Sequence, residues 1–283
     1  MKESILYLRV VKILKKIPSR LFLVLFAGYI IIPLLWMFST TLRIPAESFK
    51  MPPAILPTSF NLENYLTVFT KVDMWLFTKN SFNIAFWSVF AQIVCSSMAA
   101  YAFARFRFPG KNFIFIAFLS SLMIPGVVMN IPRFITMSKL GLVDTHASLI
   151  LPTAFSAMGI FLIRQNILTS PRSYDEAAYI DGASKLYCFT RIILPMAKPA
   201  IMVLAVCEFV GAWNDFFGPL IYLNTEKKMT LPLGLSVLRG TLNEGNEAAI
   251  LAGVMLSLIP PVVFFCFGQR FLVEGMNLGG LKG

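Results

Sequence analysis

Along the chain, charged residues fall in clusters separated by long apolar windows that carry none. Between Arg20 and Arg43 lie 22 uncharged residues, between Lys79 and Arg105 lie 25, and between Lys111 and Arg133 lie 21. The second half repeats the pattern. Asp144 and Arg164 bracket 19 residues, Glu247 and Arg270 bracket 22, and residues 199–225 run for 27 positions interrupted only by Glu208 and Asp215. A helix needs about 20 apolar residues, at about 1.5 Å rise each, to cross a bilayer core. The windows therefore predict an all-α membrane protein with six transmembrane helices near residues 21–42, 81–104, 112–132, 146–163, 199–223 and 248–269. A segment over 1–20 precedes this domain (21–273), and a tail over 274–283 follows it.

The connections differ in character. Pro45, Pro52, Pro53 and Pro57 predict irregular chain at the start of the 43–79 loop, with a helix near 62–69. Residues 105–111 form a short basic hairpin, and 224–247 is polar with Gly234, Gly240 and Gly245. Pro33, Pro125, Pro132, Pro152, Pro219, Pro260 and Pro261 lie within the windows and predict kinks of the kind tolerated where helices pack or line a cavity. Pro125, Gly126, Asn130 and Pro132 make the third span the most irregular.

Composition removes the soluble alternative. The chain is 57% hydrophobic and 14% charged, against about 25% charged residues in soluble domains. Its net charge of +11 acts as a topology signal. With both termini cytoplasmic, sixteen of the 25 basic residues fall on inner segments, as the positive-inside rule requires. Net charge alone gives no reason to expect nucleic-acid binding. The first window exceeds the usual apolar core of a signal peptide and is followed by no A-x-A-like site, so it is expected to remain as an uncleaved helix. Cys95, Cys188, Cys207, Cys266 and the single His146 show no metal or redox spacing, so no metal site is expected.

Two polar features stand out. In the fifth window, Glu208 and Asp215 are seven residues apart and would share a helix face with Gly211 and Gly218. A carboxylate at mid-bilayer costs about 2.5 to 3.5 kcal/mol on insertion scales, so such groups face a bundle interior or a wet cavity. The stripe reads either as a substrate path, with Asn214 and Asp215 hydrogen-bonding the solute and Trp213 stacking on it, or as a helix-packing face. The second feature is the inner loop 164–198. Pro171 ends the preceding structure, Ser173 and Glu176 have capping-box spacing, a short helix follows over 174–181, and Gly182 permits the left-handed stop. Residues 185–193 then alternate basic and apolar positions up to Pro195.

Within that loop Glu176, Ala177 and Ala178 are followed after three residues by Gly182, and after nine more by Ile192, then Leu194 and Pro195. This spacing resembles the EAA signature of permease subunits of binding-protein-dependent ABC importers. Trp213, Asn214, Asp215 and Phe216, with the ending Gln269, Arg270, Phe271, Leu272, Val273, Glu274 and Gly275, resemble the carbohydrate branch that includes the maltose-transporter permeases. The resemblance implies a multi-pass subunit of a bacterial-type cytoplasmic membrane that imports a sugar by alternating access. It would pair with a second homologous permease, a dimer of ATP-binding subunits and an external solute-binding protein. The chain has no G-x4-G-K-[S/T] phosphate loop, so the resemblance places ATP and Mg on the partner ATPase and leaves this chain without a catalytic residue or cofactor. The EAA residues, together with Asp181, would dock on that ATPase. Two alternatives are open: a permease for a non-sugar solute, and an ion-coupled secondary transporter using Glu208 or Asp215.

Overall fold

The computed structural model describes residues 2–48, 55–57, 59–242 and 246–280, and it is helical throughout these residues apart from turns and short extended links. The helices are α1 (Lys2–Thr41), α2 (Glu63–Lys71), α3 (Met74–Arg105), α4 (Lys111–Ser120), α5 (Asn130–Lys139), α6 (Ala147–Thr153), α7 (Ala157–Thr169) and α8 (Ser173–Ile180). They continue with α9 (Lys185–Tyr187), α10 (Leu194–Met196), α11 (Lys198–Asn214), α12 (Phe217–Tyr222), α13 (Leu231–Thr241) and α14 (Glu247–Gly280). Among the described residues, four stretches are long and apolar enough to cross a bilayer: Arg20–Thr41, Met74–Arg105, Ala147–Thr169 and Glu247–Phe271. Two helix pairs meet the same criterion only when taken together, Lys111–Met123 with Gly126–Lys139 bent by 102°, and Lys185–Met196 with Lys198–Asn214 bent by 73°.

The first bend lies within the third window, and the second lies just before the fifth. In the third, Ile124 and Pro125 are both extended (ψ 119° and 130°). Proline lacks the N–H that would continue the ladder, and it disfavours helical geometry at the residue before it. The fifth window is itself split once. α11 stops at Asn214, Asp215 is extended (φ −67°, ψ 118°), and α12 restarts at Phe217. Pro33, Pro260 and Pro261, in contrast, stay inside continuous helices.

The chain divides into two compact units, one comprising residues up to Val72 with Leu238–Leu256, the other Asp73–Val237 with the chain from Ser257 onward. In the first unit the end of α1 is capped from α2: the Asn64 amide donates to the carbonyls of Thr41 (2.8 Å) and Arg43 (2.7 Å), and Thr41 meets the Tyr65 hydroxyl at 2.8 Å. In the second unit α3 is the central helix, packed mainly against α7 and α11. Its buried face carries Ser81, Ser88, Gln92, Ser96, Ser97 and Ala100, small or polar groups that let backbones approach in a membrane interior. The approach is tight at Gly159 of α7, where an added Cβ would lie 2.7 Å from Ser96 Oγ and 3.0 Å from Leu204 Cδ2. Where α3, α7 and α11 converge, Ala100, Tyr101, Ala104, Ile163, Ile167, Ile193 and Leu204 form one buried cluster.

At the opposite end of α3, Asp144 clamps the segment after α12. Its Oδ1 accepts from the backbone N–H of Asn224 and Thr225, both at 2.9 Å, and its Oδ2 accepts from Thr225 Oγ1 and Lys228 Nζ. Asp144 is the non-glycine residue with positive φ (60°) among the described residues, a conformation that short polar side chains tolerate. Asn80 adds two hydrogen bonds of 2.9 Å to the carbonyls of Lys227 and Met229.

Candidate functional site

α8 carries the first group of candidate residues. Asp175 and Glu176 lie in its first turn, where negative charge suits the helix dipole. The expected capping box is not formed: Ser173 is already the first helical residue, and Arg172 occupies the cap position without a side-chain hydrogen bond. The helix ends as its glycine predicts. Gly182 has φ +81°, its N–H donates to the Tyr179 carbonyl (3.1 Å), and Ala183 N–H donates to the Ala178 carbonyl (2.9 Å). These two bonds make a Schellman stop, which requires a left-handed residue at that position.

Glu176, Ala177, Asp181, Gly182 and Pro195 are exposed, and Ala178, Ile192 and Leu194 are half-buried. They lie along a path that runs from α8 through α9, a π-helical turn at Cys188–Ile193 and α10. Between α8 and this turn is an open cleft of about 760 Å³, lined by Tyr174, Ala178, Asp181, Gly182, Tyr187 and Arg191 among others. Two of its aromatic lining residues are largely uncovered, Tyr174 being 53% exposed and Tyr187 54%. The cleft is lined by the small residues Ala178 and Gly182 together with the exposed aromatics Tyr174 and Tyr187. These aromatics were not singled out from the sequence, although tyrosines inside an otherwise polar loop are a usable signal.

The second group sits at the break after α11. Asn214 is exposed and is the last helical residue, while Asp215 turns out of the helix and accepts a hydrogen bond from Gly218 N–H at 3.1 Å, capping α12. The single-helix stripe of Glu208, Gly211, Asp215 and Gly218 therefore does not exist as one face, because the helix ends between its members. Glu208 is half-buried, with Gln92 of α3 and Thr153 of α6 as its polar neighbours. Gln92 was not anticipated. Trp213 is 1% exposed, stacks on Phe209 and donates its indole N–H to the Ser257 carbonyl at 3.0 Å. Its ring is committed to packing in this conformation and offers no face to a solute. The structure thus brings Asn214 and Asp215 together at the break, leaves Glu208 within α11 facing Gln92 and Thr153, and commits Trp213 to packing against Phe209 and Ser257.

No group of three or more His, Cys, Asp or Glu side chains with metal-holding geometry occurs among the described residues.

A family model described as binding-protein-dependent transport system inner membrane component matches residues 92–275. The chain is 36% identical over 228 residues to the arabinooligosaccharides transport system permease protein AraQ of Halalkalibacterium halodurans, covering 80% of this chain and 81% of that one. It is 33% identical over 266 residues to the sn-glycerol-3-phosphate transport system permease protein UgpE of Salmonella typhimurium, covering 91% and 94%. Among solved structures, a chain of a bacterial ABC transporter involved in the import of the acidic polysaccharide alginate shares the fold, with a TM-score of 0.80 at 23% identity, covering 91% of this chain and 96% of that one.

Proposed function

This chain belongs to the family of binding-protein-dependent transport system inner membrane components, and from that premise we propose that it is a permease subunit of an ATP-driven ABC importer for an oligosaccharide. Sugar is favoured as cargo because the arabinooligosaccharide permease is the more similar of the two relatives described above. The chain works with a second homologous permease, a dimer of ATP-binding subunits that use ATP and Mg, and an external solute-binding protein that delivers the cargo. Both termini and α8 face the cytoplasm, in keeping with the sixteen basic residues on that side.

The observation that carries this reading is the uncovered cleft beside α8. Glu176, Ala177, Ala178, Asp181 and Gly182 present a short, small-residue helix, with Ile192, Leu194 and Pro195 where the chain turns into α11. The ATPase docks here. Its closure on ATP displaces α8 and rearranges the spans to open the path outward, and hydrolysis resets the inward-facing state. Asn214 and Asp215 line that path at the break after α11, where the chain leaves helical geometry as intramembrane binding sites often do, and Glu208 lines it from within α11. Trp213 holds the break in place through Ser257.

Glu176→Lys places a cation where the partner meets a carboxylate and should prevent ATPase subunits from co-purifying with the permease pair. Wild-type assembly would overturn the docking assignment. Replacing Asn214 and Asp215 with alanine should raise the KM for uptake in the reconstituted importer, and unchanged kinetics would remove them from the path.

A further inference from the structure

α8 leads covalently into α9, the π-helical turn and α11, yet its side chains attach it elsewhere. Asp175, in its first turn, is 4% exposed and pairs with Arg105, whose Nε lies 2.6 Å from Asp175 Oδ2. Among the described residues no hydrogen-bond donor satisfies the Asp175 carboxylate, so Arg105 is the group that neutralises it. Arg105 is the last residue of α3, and its Nη2 also donates to the carbonyl of Ser170, the residue that ends α7, at 3.0 Å. One guanidinium therefore joins three chain ends: that of α3, that of α7 and the start of α8.

A second tie lies one turn earlier on α3. The Tyr101 hydroxyl donates to the Lys185 carbonyl just past α8, stands 3.4 Å from the Tyr179 hydroxyl on α8, and its ring stacks on Phe189 at 5.2 Å. Both ties rest on the buried cluster where α3, α7 and α11 meet.

A buried ion pair is a weak stabiliser compared with apolar packing, and its best-attested use is to fix one geometry against alternatives. A guanidinium suits that use, because Nη2 donates in a set direction to the Ser170 carbonyl while the charge on the same rigid plane faces Asp175, an arrangement a lysine ammonium cannot reproduce.

We propose that Arg105 is a positioning residue that fastens α8 to the ends of α3 and α7, so that displacement of α8 by the ATPase moves those two spans as one body with it. This rests on the reading of α8 as the docking helix. Without Arg105, α8 would pull on α11 through the covalent chain and on α3 only through the weaker Tyr101 contacts.

The test uses the full importer in nanodiscs, with Cys95, Cys188, Cys207 and Cys266 replaced and nitroxide labels placed at the exposed positions Arg107, just past α3, and Ser173, at the start of α8. Label separation is measured by pulsed electron spin resonance without nucleotide and with ATP plus orthovanadate. With Arg105 present the separation should stay the same in both states. In Arg105→Gln it should change on ATP and vanadate while the ATPase subunits remain bound. A separation that changes with Arg105 present, or stays fixed in Arg105→Gln, overturns the proposal. If Arg105→Gln fails to assemble, the exchange variant Arg105→Asp with Asp175→Arg decides: recovery of assembly and of a fixed separation supports the pair, and no recovery overturns it. Failure of the docking assignment reads differently, as ATPase subunits that stay bound in Glu176→Lys.

Discussion

Gly182 separates what the chain itself requires from what a partner requires. An L-residue in the left-handed region costs about 1 to 2 kcal/mol, and Gly182 sits there with φ +81°. A Cβ built on Gly182 meets no heavy atom within 4 Å, so within this chain the cost of a substitution is backbone strain alone. Escaping the strain by changing φ would sacrifice the bonds from Gly182 N–H and Ala183 N–H, each worth about 1 kcal/mol net. Alanine and leucine at 182 should therefore destabilise the end of α8 equally, by about 1 to 2 kcal/mol, and asparagine by less because it tolerates this region. Binding of the ATPase should not follow the same order. Gly182 lines the cleft, so a leucine side chain occupies space that the partner needs, whereas an alanine methyl occupies little. Hydrogen exchange on the permease pair alone reads the helix end, and titration with fluorescently labelled ATPase subunits reads docking. Leucine should weaken docking at least about tenfold more than alanine, a difference of about 1.4 kcal/mol. Equal docking losses for the two variants would refute the claim that Gly182 opens onto the partner.

Three other outcomes follow from the packing. The Asp144 carboxyl is held well below the usual carboxylate range, first by the hydrogen bond from Lys228 and then by those from Thr225 and Asn224. A depressed value stabilises above the unfolded pKa of about 3.9 and loses that contribution only as pH falls through the folded value. Protease sensitivity of the segment after Tyr222 should therefore be flat between about pH 5 and 8, and Asp144→Ala should raise it across that whole range. Gly234→Val places a side chain on the Phe77 ring and should lower stability by about 1 to 3 kcal/mol; thermal unfolding of the solubilised chain should show the loss, with partial recovery on adding Phe77→Leu. Trp213→Phe removes the donor to the Ser257 carbonyl, at a cost of about 1 kcal/mol by the same assay.

Four long apolar helices were legible because lipid excludes charge, which leaves gaps that can be counted between Arg20 and Arg270. Whether a proline bends a span was less legible, because it depends on what accepts the freed carbonyl. Pro260 and Pro261 remain within α14, while Pro125 falls at a 102° bend. The left-handed stop at Gly182 was readable, since few residues fit there. The Ser173 and Glu176 pair had capping-box spacing, but α8 begins one residue too early for Ser173 to cap it. Asp215 looked like part of a helix face because seven-residue spacing is all that periodicity measures. Its role as a cap for α12 depended on Gly218, three residues on. The link from Arg105 to Asp175 joins positions 70 apart, and no local pattern announces such a contact.

Whether this chain moves its cargo with energy supplied by a docked ATPase can be measured directly. The direct measurement is uptake of radiolabelled arabinotriose, with maltotriose in parallel, into proteoliposomes holding both permeases and the ATPase subunits, with the solute-binding protein outside. Uptake of at least one sugar should require internal ATP and the binding protein, persist when ionophores collapse all ion gradients, and vanish with Glu176→Lys. Uptake that continues without ATP and stops with the ion gradient would overturn ATP-driven import and return Glu208 and Asp215 to the role of ion sites.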